Sequence, residues 1–134
     1  MLFKRVNIST ALGMVAPMRQ GDGMLGAVFV SIVATDAGVT ITVAQMAGGM
    51  IQYIGFSAGR AITTPTAALI LAAAPDMDIG DSFQLIVSIV PAFAGTWTAG
   101  ANVTLTGRAT TPASSWSIVT VTKLSATTVS WNVT

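Results

Sequence analysis

The stretch Asp81-Ser82-Phe83-Gln84-Leu85-Ile86-Val87-Ser88-Ile89 decides the fold class. Phe83, Leu85, Val87 and Ile89 recur at every second position, so an extended chain places them on one face. The same period continues downstream. Val103 pairs with Leu105, Trp116 with Ile118 and Thr120, and Val129 with Trp131 and Val133. Gly95, Gly100, Gly107, Pro112 and Ser114-Ser115 fall between these runs, where turns are needed. From Gly80 onward the chain therefore reads as strands.

Upstream, Val28 to Ala34 is β-branched and nearly continuous, which predicts a buried strand. Val39-Thr40-Ile41-Thr42-Val43 alternates, Ala44 to Gly49 suits one helical turn stopped by Gly48 and Gly49, and Met50 to Phe56 is again strand-like. The best helix signal runs from Thr63 to Pro75. Thr64 is placed to cap it, Pro65 suits the first helical position, and an Ala/Leu run follows. The reading is mainly β: a sandwich or barrel with one short helix over about 64–74. Residues 1–26 have little periodicity and read as an N-terminal arm; residues 27–134 read as a single β-rich domain.

Composition narrows the function. The 134 residues are enough for one domain with a real core. Charged residues are 8%, against about 25% in an average soluble domain. All five acids are aspartates, and Lys plus Arg is 6, for a net charge of +1. So few basic groups neutralise few phosphates, which argues against a nucleic-acid partner. Absence of His removes the usual triad base and the commonest metal ligand; absence of Cys removes thiol and zinc-thiolate chemistry. No cofactor and no metal are expected. The charge-free stretches Ala37 to Gly59 and Ser82 to Gly107 are broken by Gly, Gln, Thr and Pro, so no membrane helix is expected. Thr and Ser occupy the strand positions where Lys and Glu would be usual; Thr solvates a strand without charge.

Three motifs invite chemistry. Gly55-Phe56-Ser57-Ala58-Gly59 matches G-x-S-x-G, but a serine nucleophile needs a base and the chain has no His. Gly21-Asp22-Gly23-Met24-Leu25-Gly26 matches G-x-G-x-x-G without the strand before it and the helix after it that a dinucleotide site needs. Asp76-Met77-Asp78-Ile79-Gly80-Asp81 is the one acidic cluster, and it lacks the closing Glu of a calcium loop. A connection, a loop and a turn are the plainer readings, and no enzyme activity is expected.

From Thr64-Pro65-Thr66-Ala67-Ala68 through Ile79-Gly80-Asp81-Ser82-Phe83, the chain resembles a small β-domain of tailed-bacteriophage virion proteins, notably head-decoration or cement proteins. The resemblance continues in Ala101-Asn102-Val103-Thr104-Leu105-Thr106-Gly107 and in Leu124 to Val129. An upstream T-x-x-Q-x-x-G-G-x-I piece spans Thr42 to Ile51. Together these pieces cover residues 39–134. The resemblance implies a non-enzymatic virion structural protein that binds as a homotrimer on the phage head and stabilises the shell. Its partners would be itself and the major capsid protein, with no nucleic acid and no membrane. It would be assembled in the bacterial host cytoplasm and sit on the capsid surface. A tail or fibre component, or a carbohydrate-binding virion surface domain, is the alternative.

The arm supplies candidate capsid or subunit contacts in Lys4, Arg5, Met14, Met18 and Arg19, where Met fills an imperfect groove and the cations orient it. A sugar site would need an aromatic platform from Tyr53, Trp97, Trp116 or Trp131. Trp116 and Trp131 fall on apolar strand faces and are expected in the core. Trp97, between Gly95 and Gly100, is the candidate exposed aromatic.

Overall fold

Strands that alternate between core and solvent build two sheets in the computed structural model, which describes residues 29–134. The candidate contacts Lys4, Arg5, Met14, Met18 and Arg19, the glycine motif at 21–26 and the arm as a whole lie outside the described residues. The strands are β1 (Phe29–Val33), β2 (Val39–Thr40), β3 (Gly49–Tyr53), β4 (Arg60–Thr63), β5 (Ser82–Ile89), β6 (Gly95–Thr98), β7 (Val103–Gly107), β8 (Thr110–Thr111), β9 (Ser115–Lys123) and β10 (Val129–Val133). Helix α1 (Val43–Ala47) follows β2, and α2 (Ala67–Ala73) follows β4.

The larger sheet has six strands in the order β1-β3-β5-β9-β10-β7; the smaller has four in the order β2-β4-β6-β8. The chain crosses between them at almost every step. β1, β3 and β5 are mutually parallel in the large sheet, and β2, β4 and β6 are mutually parallel in the small one. A parallel pair needs a long crossover. Here the crossover is the passage through the opposite sheet, with α1 or α2 on the way back. The first six strands therefore stack as successive coils. The pattern then reverses: β8 runs antiparallel to β6, β9 to β5, and β10 to β9. Strand alternation carries no information on pairing direction, so this coiling was not legible beforehand.

One hydrophobic core lies between the sheets. The large sheet contributes Ile51, Tyr53, Leu85, Val87, Ile89, Val119, Val121, Val129, Trp131 and Val133, all essentially inaccessible. Ile62 and Trp97 come from the small sheet and Ile41 from beside it. Each such side chain contributes about 1.5–3 kcal/mol relative to exposure. Trp97 and Trp131 meet across the core with ring centroids 5.8 Å apart, tilted by 50°. Gly107 closes β7 at φ +81°, where an added Cβ would lie 2.1 Å from the Val133 carbonyl oxygen, so only glycine fits.

Several expectations are corrected. The alternating run 39–43 is a strand only over Val39–Thr40, because Thr42 is taken as a helix cap. Thr42 Oγ1 accepts from the Gln45 N–H and Gln45 Oε1 accepts from the Thr42 N–H, a reciprocal capping box. The T-x-x-Q piece is thus the start of α1, which occupies the place where one helical turn was expected over Ala44 to Gly49. The main helix spans 67–73 and its cap is Thr66, not Thr64; Pro65 precedes the cap and is not its first turn. Thr64 is buried, with its hydroxyl accepting from the Gly100 N–H at 2.9 Å and donating to the Pro65 carbonyl at 3.0 Å. Within the run 28–34, expected to be buried, Phe29–Val33 forms a strand at the edge of the sheet among the described residues, with Phe29 and Ile32 more than half exposed.

Candidate interaction face

The inward phase of each strand in the large sheet is set by the core, so the outward phase follows by register. Reading across the strands, Val30, Met50, Ile86 and Ile118 form one outward row. Ile32, Gln52, Ser88 and Trp116 form the next. Towards the other end come Gln84, Thr120, Asn132 and Thr106, then Ser82, Thr122, Ser130 and Thr104. The first two rows are mostly apolar and the last two wholly polar. No row contains a charged residue. Polar neighbours bind each other: Gln84 Nε2 donates to Thr120 Oγ1 at 3.1 Å, and Asn132 Nδ2 to Thr106 Oγ1 at 2.9 Å.

The apolar end is open. Val30 is 45% exposed, Ile32 63%, Ile86 38% and Trp116 57%. Trp116 and Ser88 line two open grooves of about 250 Å³ each. One is lined by Met50, Ile86, Ser88 and Trp116; the other runs past Val90, Ser114 and Ser115. Val90 and Phe93 carry exposed apolar surface onward into the connection after β5.

Strand β1 ends the sheet on this side, with no further strand paired to it among the described residues. Its Phe29 N–H donates to the Gly48 carbonyl, and its Val33 carbonyl accepts from the Ile54 N–H. In a parallel pair alternate residues bond to the neighbour. The backbone groups of Val30 and Ile32 therefore point off the free edge. Neither a proline nor a charged side chain lies in β1, the usual devices that block further pairing.

The expected aromatic platform is corrected at this point. Trp97 is 6% exposed, and its indole N–H donates to Thr111 Oγ1 at 3.1 Å inside the core. Tyr53 and Trp131 are also buried. The exposed tryptophan is Trp116, which had been assigned to the core. Both phases of β9 mix apolar with polar residues, so the sequence left its orientation open; Ile86 alone stands out, in a phase of β5 otherwise held by Ser82, Gln84 and Ser88.

The other motifs take structural places. Ser57 sits in the connection from β3 to β4, so a strand follows it where a nucleophile elbow has a helix. Its hydroxyl donates to the Asp36 carboxylate, as does its N–H at 2.8 Å. Arg60 adds Nε at 3.0 Å and Nη2 at 2.8 Å to the same carboxylate. These hydrogen bonds, the Ser57 hydroxyl foremost, hold the Asp36 carboxyl down at about 2. The cluster clasps the connections on either side of β2 and β3. In the acidic turn, Asp81 Oδ2 accepts from the Asp78 N–H at 2.8 Å, and Gly80 takes φ +94°. Among the described residues no group of three or more carboxylates is placed to hold a metal ion, and no helix is long and apolar enough to cross a membrane.

Comparison with protein families, with curated proteins and with solved structures finds no match to this chain.

Proposed function

We propose that this chain is a non-enzymatic virion structural protein, a decoration protein that binds as a homotrimer to the major capsid protein on a phage head. The observation that supports the reading best is the outward face of the six-stranded sheet: uncharged throughout and apolar over one half. Such a surface suits lasting burial against protein, because it strands no charge on desolvation. The low overall charge fits the same use, and the sequence resemblance supplies the setting.

The mechanism is cementing. A trimer over a junction of the shell grips several capsid subunits at once, so individually weak contacts act at high effective concentration. Contacts available only on the mature lattice stabilise that lattice by mass action. An electron-microscopy map of a virion carrying this chain tests the proposal. Density for the β-domain in threes on the outer shell is the expected result. Density confined to the tail or fibres would replace decoration by the tail reading, and absence from the particle would overturn both.

A further inference from the structure

We infer that the apolar end of the large sheet's outer face is the contact between copies of this chain, with Trp116 of one copy seated in the groove beside Trp116 of the next. The inference rests on the self-assembling virion reading and names the surface that reading leaves open.

Area comes first. Taking about 200 Å² for a large side chain at full exposure, Val30, Ile32, Ile86 and Trp116 together present on the order of 400 Å² of apolar surface. A standard interface takes about 800 Å² per partner, with an apolar centre inside a polar rim. The patch supplies such a centre, with Gln52 and Ser88 set within it between Ile32 and Trp116, and Gln84 and Thr120 border it on the polar side. Charge comes second. Surfaces that carry no charge meet without like-charge repulsion, and these rows carry none. A strongly charged partner would find no counter-ion here.

Shape is the third argument. The face carries an exposed indole and an open groove of about 250 Å³, lined by Met50, Ile86, Ser88 and Trp116 itself. A projection that fits the neighbour's recess, repeated head to tail, closes into a ring when the rotation allows. Tryptophan at the centre of such a contact is the side chain most often found to dominate its energy.

Light scattering on the full chain at micromolar concentration tests the inference. The wild type is expected at three times the chain mass. Trp116→Lys and Ile86→Lys, both at outward positions, are expected to give monomers with an unchanged circular-dichroism spectrum. Thr104→Lys and Thr106→Lys, at the polar end, should leave the trimer intact. Hydroxyl-radical footprinting of the wild type gives a readout free of mutation: Trp116 and Met50 should be protected at high concentration and oxidised on dilution. A monomeric wild type, trimers that survive both apolar-end variants, or absence of protection would each overturn the inference. None of these results depends on where the chain sits in a virion, so the map described above judges the virion reading separately.

Discussion

Replacing Thr111 by valine should cost about 2–4 kcal/mol, because one hydroxyl ties the two sheets together. Thr111, on β8 of the small sheet, accepts from the Trp97 indole N–H at 3.1 Å and donates to Ser117 Oγ at 2.9 Å on β9 of the large sheet. Thr111 and Ser117 are wholly inaccessible, and Trp97 nearly so. Valine preserves the shape and deletes the hydroxyl. It leaves an indole N–H and a serine oxygen buried without this partner, each costing about 1–2 kcal/mol, in the lower part of the usual range. Against a total stability of about 5–15 kcal/mol for an ordinary domain, the loss is large. With a urea slope of about 2 kcal/mol/M, the unfolding midpoint should fall by about 1–2 M. Urea titration followed by tryptophan fluorescence and circular dichroism measures it. Thr111→Ser keeps the hydroxyl and should lose only about 1 kcal/mol for the missing methyl. In the Thr111→Val, Ser117→Ala double variant the orphaned serine is gone, so the loss should fall short of the sum of the singles. A Thr111→Val protein within about 0.5 kcal/mol of wild type would refute the claim that this chain of hydrogen bonds joins the sheets.

The Asp36 clasp gives a pH dependence. Its carboxyl titrates at about 2 in the folded protein against 3.8 ordinarily, so the unfolded chain binds more protons in that interval. Its contribution is complete above about pH 4 and is lost as pH falls towards about 2; Asp36→Asn should flatten that part of the stability curve in urea titrations. Tyr53 acts in the opposite direction: burial raises its phenol pKa, so its contribution is complete below about pH 10 and is lost as pH rises beyond. The Tyr53 hydroxyl meets no protein hydrogen-bond partner, while its ring stacks on Phe56 at 5.2 Å. Tyr53→Phe should therefore be as stable as wild type or better, by up to about 1 kcal/mol in thermal melts. Thr66→Ala should cost about 1 kcal/mol as loss of the α2 cap. Thr64→Ala should cost about 1–3 kcal/mol, because it strips the Gly100 N–H of its acceptor.

The β character, the inward faces of β5 and β10 and the presence of a helix near residue 70 were legible from local patterns alone. Phe83, Leu85, Val87 and Ile89 have polar residues or a lone Ile86 between them, so only one face suits a core. Val129, Trp131 and Val133 alternate with Ser130 and Asn132, leaving the same single choice. The helix at 67–73 was visible as an Ala/Leu run, but its cap was placed two residues early. Thr64 and Thr66 are equally good caps in a sequence. What separates them is Gly100, distant along the chain, which draws the Thr64 hydroxyl away.

Strand β9 shows what local pattern leaves open. Its two phases read Trp116, Ile118, Thr120, Thr122 and Ser117, Val119, Val121, Lys123, and each mixes apolar with polar residues. Side-chain period alone does not choose between them. Pairing does: Leu85 lies opposite Val119, Val87 opposite Ser117, and Trp131 opposite Val121. Both neighbours have unambiguous inward faces, so β9 follows them and turns Trp116 outward. Burying Ser117 in its place is tolerable only because Thr111, from the other sheet, supplies a hydrogen-bond partner. Trp97 is drawn inward by the same hydroxyl. The sequence alone established that this protein would be a charge-poor β-domain; which tryptophan faces solvent was decided by pairing and by a hydrogen bond between sheets, neither of which exists until the chain has folded.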